Sequence, residues 1–197
     1  MQGKDALLVI DVQNDFCPGG ALAVKDGDQV VAVLNRYIDR FTKAGLPILA
    51  TRDWHPLQTT HFNTHGGTWP PHCIQGSKGA EFHPDLVLGE NVTILSKGTD
   101  PRADEYSGFQ AVSPEGIALS DLLRRLGVDR IMIGGLATDY CVKYTVLDGL
   151  KESFKVVLLT DCIRGVNLDP GDSARAIEEM TRAGAEIATG LQPTSRV

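Results

Sequence analysis

The stretch from Leu122 to Leu150, LLRRLGVDRIMIGGLATDYCVKYTVLDGL, constrains the fold more than any other part of the chain. Arg130-Ile131-Met132-Ile133 is an apolar run that reads as a fully buried strand, and Gly134-Gly135 then breaks it. Thr138 is placed to cap a helix, and apolar residues recur at helical spacing through Cys141, Tyr144, Thr145 and Leu147 to Gly149. Cys141 therefore falls in the first turn of a helix that starts beyond the carboxyl end of a strand. Free backbone N–H groups and the positive end of the helix dipole gather there, which lowers a thiol's pKa and stabilises an oxyanion. A cysteine considered alone is more often a buried core residue, so the rest of the chain has to decide its role.

The same strand-then-helix unit repeats on both sides. Ala6 to Ile10 is a short apolar run ending at Asp11, and a helical stripe follows from Asp28 to Ala44, stopped by Gly45. Pro47 to Thr51 is a second strand ending at Arg52-Asp53, and Val92 to Leu95 a third ending at Ser96-Lys97. A helix is expected from about Ile117 to Leu126, and a strand from Phe154 to Thr160 ending at Asp161. A last helix is expected from Asp169-Pro170-Gly171-Asp172 to about Ala183, and an edge strand from Ala185 to Ala188. Strands alternating with helices predict an α/β fold, a doubly wound parallel sheet. Ligands of such sheets sit outside the carboxyl ends of the strands, where Asp11, Asp53, Lys97 and Cys141 stand on four different tips.

Composition narrows the function. A chain of 197 residues suits one domain, here 1–190 with a metal-binding loop region at 53–90 and a frayed tail at 191–197. A net charge of −6 and the lack of any basic run argue against a nucleic-acid partner or an anionic membrane. No stretch approaches a membrane span of roughly 20 apolar residues, and nothing at the N-terminus reads as a signal peptide. The chain reads as soluble and cytoplasmic, with its four scattered cysteines reduced. Cys17, Cys73 and Cys162 read as buried structural thiols. Whether it acts as a monomer or a homo-oligomer is left open.

Residues 54–90 show no sustained period, and a loop that long in a compact domain is usually functional or disordered. All five histidines lie in it. Asp53, His55, His61 and His72 together offer a carboxylate and three imidazoles, a ligand set that suits zinc, iron or manganese. His65 and His83 read as ordinary loop residues. Asp11 and Lys97 would each be unremarkable alone; beside a cysteine they become a base and a supporting cation. Phe16, Trp69 and Tyr106 could clamp a flat ring if they face one pocket. Gly134-Gly135 before a helix lacks the spacing of a dinucleotide-binding turn.

Taken together, five motifs resemble the nicotinamidase/pyrazinamidase family of isochorismatase-like cysteine hydrolases. They are Asp11-Val12-Gln13-Asn14-Asp15-Phe16-Cys17-Pro18-Gly19-Gly20; Asp53-Trp54-His55-Pro56 with His61; Trp69-Pro70-Pro71-His72-Cys73; Lys97-Gly98; and Gly135-Leu136-Ala137-Thr138-Asp139-Tyr140-Cys141-Val142. They run in order along nearly the whole chain. The resemblance implies a three-layer sandwich around a mostly parallel six-stranded sheet in the order 3-2-1-4-5-6. It implies a catalytic triad of Asp11, Lys97 and Cys141, and one divalent metal ion held by Asp53, His55, His61 and His72. Zinc leads the candidates for that ion, followed by iron and manganese. It implies that Phe16, Trp69 and Tyr106 bind the substrate ring. It further implies an oxyanion hole from the backbone N–H groups of Ala137 and Cys141, with a cis peptide at Leu136-Ala137.

The implied activity is hydrolysis of nicotinamide, and of pyrazinamide, to the acid and ammonia through a cysteine thioester, in NAD salvage. Isochorismatase-type and carbamoyl-amide hydrolases share the fold but generally lack the metal set. A metal-binding or metabolite-sensing module would be expected to have lost a member of the triad.

Overall fold

The computed structural model describes residues 4–190. Six strands form one sheet: β1 Lys4–Ile10, β2 Ile48–Asp53, β3 Val92–Lys97, β4 Val128–Leu136, β5 Lys155–Arg164 and β6 Glu186–Ala188. Their order is β3-β2-β1-β4-β5-β6, and every pairing is parallel, as the resemblance implied. The helices are α1 Gln29–Lys43, α2 Leu119–Arg125, α3 Lys143–Lys151 and α4 Asp172–Arg182. None of the described helices is long and apolar enough to cross a membrane.

Strand β1 shows why the sheet has two covered faces. Side chains alternate across a strand, so Leu7 and Val9 pack with α1 residues Val30, Leu34 and Ile38 on one face. Ala6, Leu8 and Ile10 pack on the other with Leu119 and Leu123 of α2, Val146 of α3 and Met180 of α4. Each fully buried aliphatic side chain contributes roughly 1.5–3 kcal/mol, which is why the strands are near-continuous apolar runs. The sequence order reverses between β1 and β4, and the strand ends at that switch point carry the polar residues.

Four boundaries differ from expectation, each for a local reason. Gly134 and Gly135 do not end β4, which continues to Leu136 and pairs through them with Val9 and Ile10. A Cβ on Gly134 would stand 2.8 Å from that of Cys162, and one on Gly135 would strike the Ile10 backbone. These glycines mark close approach within the sheet. Thr138 makes no side-chain cap; Thr138–Val142 is a π-turn in which the Ala137 carbonyl accepts the N–H groups of Tyr140 and Val142, and α3 continues from it. Strand β5 runs past Asp161 to Arg164, because the β4–β5 register shifts between Ile133 and Gly135 and pairing resumes at Ile163. Helix α4 starts at Asp172 after Gly171, whose φ of 91° fits glycine, so Pro170 precedes the helix. The tail expected at 191–197 lies outside the described residues.

Candidate active site

Four strand ends deliver the site. Asp11 follows β1, with φ 47°, a left-handed conformation that aspartate tolerates better than most residues, and its carboxylate is fully buried. Thr51 on β2 donates to Asp11 Oδ1 at 2.7 Å. Lys97, the last residue of β3, is also fully buried, with Nζ 2.9 Å from Asp11 Oδ2 and 3.4 Å from Cys141 Sγ. Cys141 sits in the π-turn after β4, and the preceding Leu136–Ala137 peptide is cis. Asp11, Lys97 and Cys141 are thus brought into mutual contact, although they lie far apart in the chain.

Burial and charge oppose one another here. Burial pushes the Cys141 thiol well above its ordinary pKa; the Lys97 ammonium pulls it down, and Asp11 and Asp53 push it up again. Burial thus opposes the lowering that a helix terminus would give this thiol. Burial likewise raises the Asp11 carboxyl against the pull of Lys97. A carboxylate with raised proton affinity beside a thiol is suited to take the thiol proton during reaction. For Lys97, burial alone would lower the pKa, but Asp11 and Asp53 hold it well above the usual lysine value, as an ammonium.

Asp53, at the end of β2, faces two ways. Its Oδ1 forms a buried ion pair with Lys97, while Oδ2 lies 3.7 Å from His55 Nε2 and 4.0 Å from His72 Nε2. Burial would raise this carboxyl, but Lys97 and His55 outweigh it and hold Asp53 far below the carboxylate range. Gln13 fixes its backbone: Nε2 donates to the Asp53 carbonyl at 2.8 Å, and Oε1 accepts the Asp53 N–H at 2.7 Å.

His55, His61 and His72 are all buried, with ligand-capable nitrogens within 4.8 Å of one another. The His55 and His61 rings stack at 4.6 Å. Burial draws His72 down to about 4 and lowers His61 too, so both rings are neutral near pH 7 and keep a lone pair. Both nitrogens of buried His55 lack any hydrogen-bond partner among the described residues. Such a group is costly unless something binds it. Three imidazoles beside an ionised carboxylate, one imidazole unsatisfied, fit a divalent metal ion. His65 and His83 stand apart, with Nδ1 of each bonded within its own turn, to Thr64 and to the Asp85 N–H.

His61, His72 and Cys141 face a common cleft, whose lining includes Phe16, Trp69 and Tyr106 together with Asp53 and Ala137. Trp69 Nε1 donates to the Tyr106 hydroxyl at 2.9 Å, which joins two of the three ring-binding candidates. The sequence reading missed Tyr140, Leu22 and Val166, which also line the cleft, and Thr51, Gln13 and Asp104, which support it. Gln13 and Tyr140 stand inside motifs already singled out; Leu22, Thr51, Asp104 and Val166 carry no local signal.

The chain matches the family described as Isochorismatase domain over residues 5–192. It is 44% identical to the nicotinamidase of Escherichia coli K12 over 200 residues, which span 93% of this chain and 94% of that protein. The crystal structure of the pyrazinamidase of Pyrococcus horikoshii in complex with zinc superposes with a TM-score of 0.87 at 46% identity, covering 95% of this chain and 99% of that one. That of a Leishmania infantum protein in complex with nicotinate gives 0.83 at 36% identity, covering 95% and 93%. Matched by the family model over residues 5–192 and by these relatives over more than nine-tenths of its length, the chain belongs to the isochorismatase-like hydrolases, in their nicotinamidase/pyrazinamidase branch.

Proposed function

We propose that this protein is a nicotinamidase that hydrolyses nicotinamide, and also pyrazinamide, to the acid and ammonia. The observation that carries the reading is one cleft lined by Cys141, by His61 and His72 of the histidine cluster, and by the aromatic rings of Phe16, Trp69 and Tyr106. A small flat pyridine carboxamide suits that layout: a ring to be stacked, a ring nitrogen with lone-pair chemistry, and a carbonyl carbon presented to sulfur. Phe16, Trp69 and Tyr106 hold the ring and exclude water. Asp11 takes the thiol proton as Cys141 Sγ attacks the carboxamide carbon, and Lys97 keeps the developing negative charge between carboxylate and sulfur compensated. The N–H groups of Ala137 and Cys141 receive the tetrahedral oxyanion, a stabilisation worth about 3 kcal/mol per donor in comparable sites. Asp11 returns its proton to the amine, ammonia leaves, and the thioester carbon is attacked by water that Asp11 deprotonates in turn; the released thiol regains its proton.

Asp53, His55, His61 and His72 would hold the divalent ion, which would supply a Lewis acid for the lone pair of a pyridine nitrogen. Their donor set accepts zinc, iron or manganese. Ammonia release from nicotinamide by the purified protein tests the whole reading. Chelation followed by gel filtration is expected to lower kcat/KM roughly 100-fold, the cost of losing substrate register, with recovery on adding back a divalent ion. Absence of release from either amide in metal-loaded protein sinks the assignment. Release that persists after elemental analysis shows the metal gone retains the thiol chemistry and removes the ion.

Gly98 gives an independent check on the histidine end. At φ 70° it lies beneath the His55 ring, and a Cβ there would collide with that imidazole. Gly98→Ala is expected to cost about 1–2 kcal/mol in backbone conformation and to displace His55, weakening metal affinity about 10-fold or more. Metal retained after dialysis at the wild-type level would show that the ring is not a ligand.

A further inference from the structure

We infer that Asp104 is a positioning residue for the metal centre, holding His61 in the tautomer that leaves Nε2 free to bind the ion. The inference rests on reading Asp53, His55, His61 and His72 as ligands. His72 Nδ1 lies 2.7 Å from the Pro70 carbonyl oxygen, which can only accept, so Nδ1 carries the proton and Nε2 keeps its lone pair. His61 meets the same requirement differently: its Nδ1 lies 2.5 Å from Asp104 Oδ1, and an ionised carboxylate also only accepts. A carboxylate behind a ligating imidazole fixes the tautomer, locks the ring and raises the basicity of the other nitrogen.

The surroundings of Asp104 separate this role from fold maintenance. Its side chain is 57% exposed, and among the described residues its carboxylate bonds only to His61. An exposed pair of this kind contributes little to stability. Its place is nonetheless set by the two residues that follow it. Glu105 accepts the Gly98 N–H through Oε2 at 2.5 Å and Lys97 Nζ through its carbonyl at 3.2 Å. Tyr106 accepts from Trp69. With the chain anchored just beyond it, and the Ala103 N–H before it donating to the Asp100 carbonyl at 3.3 Å, Asp104 reaches His61 at small entropic cost.

The test is metal affinity of the apo protein, measured by competition for zinc against a chromophoric chelator, together with the visible absorption of the cobalt(II) form. Asp104→Ala is expected to bind zinc 10–100-fold more weakly, with altered cobalt bands and an unchanged apo unfolding midpoint. Asp104→Asn keeps an acceptor oxygen for the Nδ1 proton and should recover most of the affinity. Asp100→Ala, which removes a carboxylate of the same segment bonded to Arg102, should match wild type. If Asp104→Ala stays within about threefold of wild type while His61→Ala is weakened, Asp104 has no part in the site and the ligand reading stands. If wild type takes up no metal, the ligand reading fails and this inference fails with it.

Discussion

Cys141→Ala is expected to reduce ammonia release from nicotinamide on the order of 10⁵-fold or more, because the variant lacks the only atom in the triad that can form the thioester. The substitution removes one sulfur from a side chain 6% exposed and leaves Asp11, Lys97 and the histidines in place. Stability should fall by about 1 kcal/mol or less, and the metal content should match wild type. Rapid-quench kinetics provide the sharper readout: wild type should accumulate an acyl-enzyme detectable by mass, and the variant none. Turnover within tenfold of wild type, roughly 1.4 kcal/mol of barrier, would remove Cys141 as nucleophile.

Lys97→Met should damage both activity and stability. The ammonium is fully buried and touches Asp11, Asp53, Cys141 and the Glu105 carbonyl. Its removal leaves two carboxylates buried without their cation, a change that costs roughly 3–5 kcal/mol when one partner of a buried pair is lost. Turnover should fall at least ~10²-fold as a preorganised charge disappears. The pH dependence has a definite sign. Burial already holds the Asp11 carboxyl above the ordinary aspartate range in the folded protein, and in the variant it rises further while Asp53 loses the partner that depresses it. A carboxyl with a raised folded pKa binds more protons in the native state, so its contribution is complete below the unfolded pKa and is lost as pH rises through the folded one. The deficit in metal-free protein should therefore be smaller near pH 5 than near pH 8, measured by urea unfolding at both. Equal deficits at the two pH values would mean that the carboxylates are not the source of the loss.

Asp53 explains why the two halves of the site occur together. One oxygen pairs with Lys97 and the other faces His55 and His72, so a single side chain links the charges around Cys141 to the histidine cluster. Any substitution there is expected to disturb both, and Asp53 alone therefore cannot separate metal binding from thiol chemistry. His55, Gly98 and Asp104 lie on one side of that link, and Asp11, Lys97 and Cys141 on the other.

Read alone, the sequence determined the alternation of buried runs and amphipathic stripes, hence the parallel sheet, and with it the rule that Asp11, Asp53, Lys97 and Cys141 share one edge. These are consequences of local periodicity and of where strands end, and both are written in consecutive residues. The tertiary structure alone decided what depends on distance across the fold. Gly134-Gly135 looked like a break because a glycine pair is a local stop signal, yet the close approach of Cys162 and Ile10 makes glycine the residue the sheet needs there. The Cys141 thiol looked acidified by its helix terminus, yet its burial, which depends on the whole fold, pushes its pKa the other way. Asp104 had no motif around it, because a carboxylate that positions an imidazole 43 residues away is defined by folding alone.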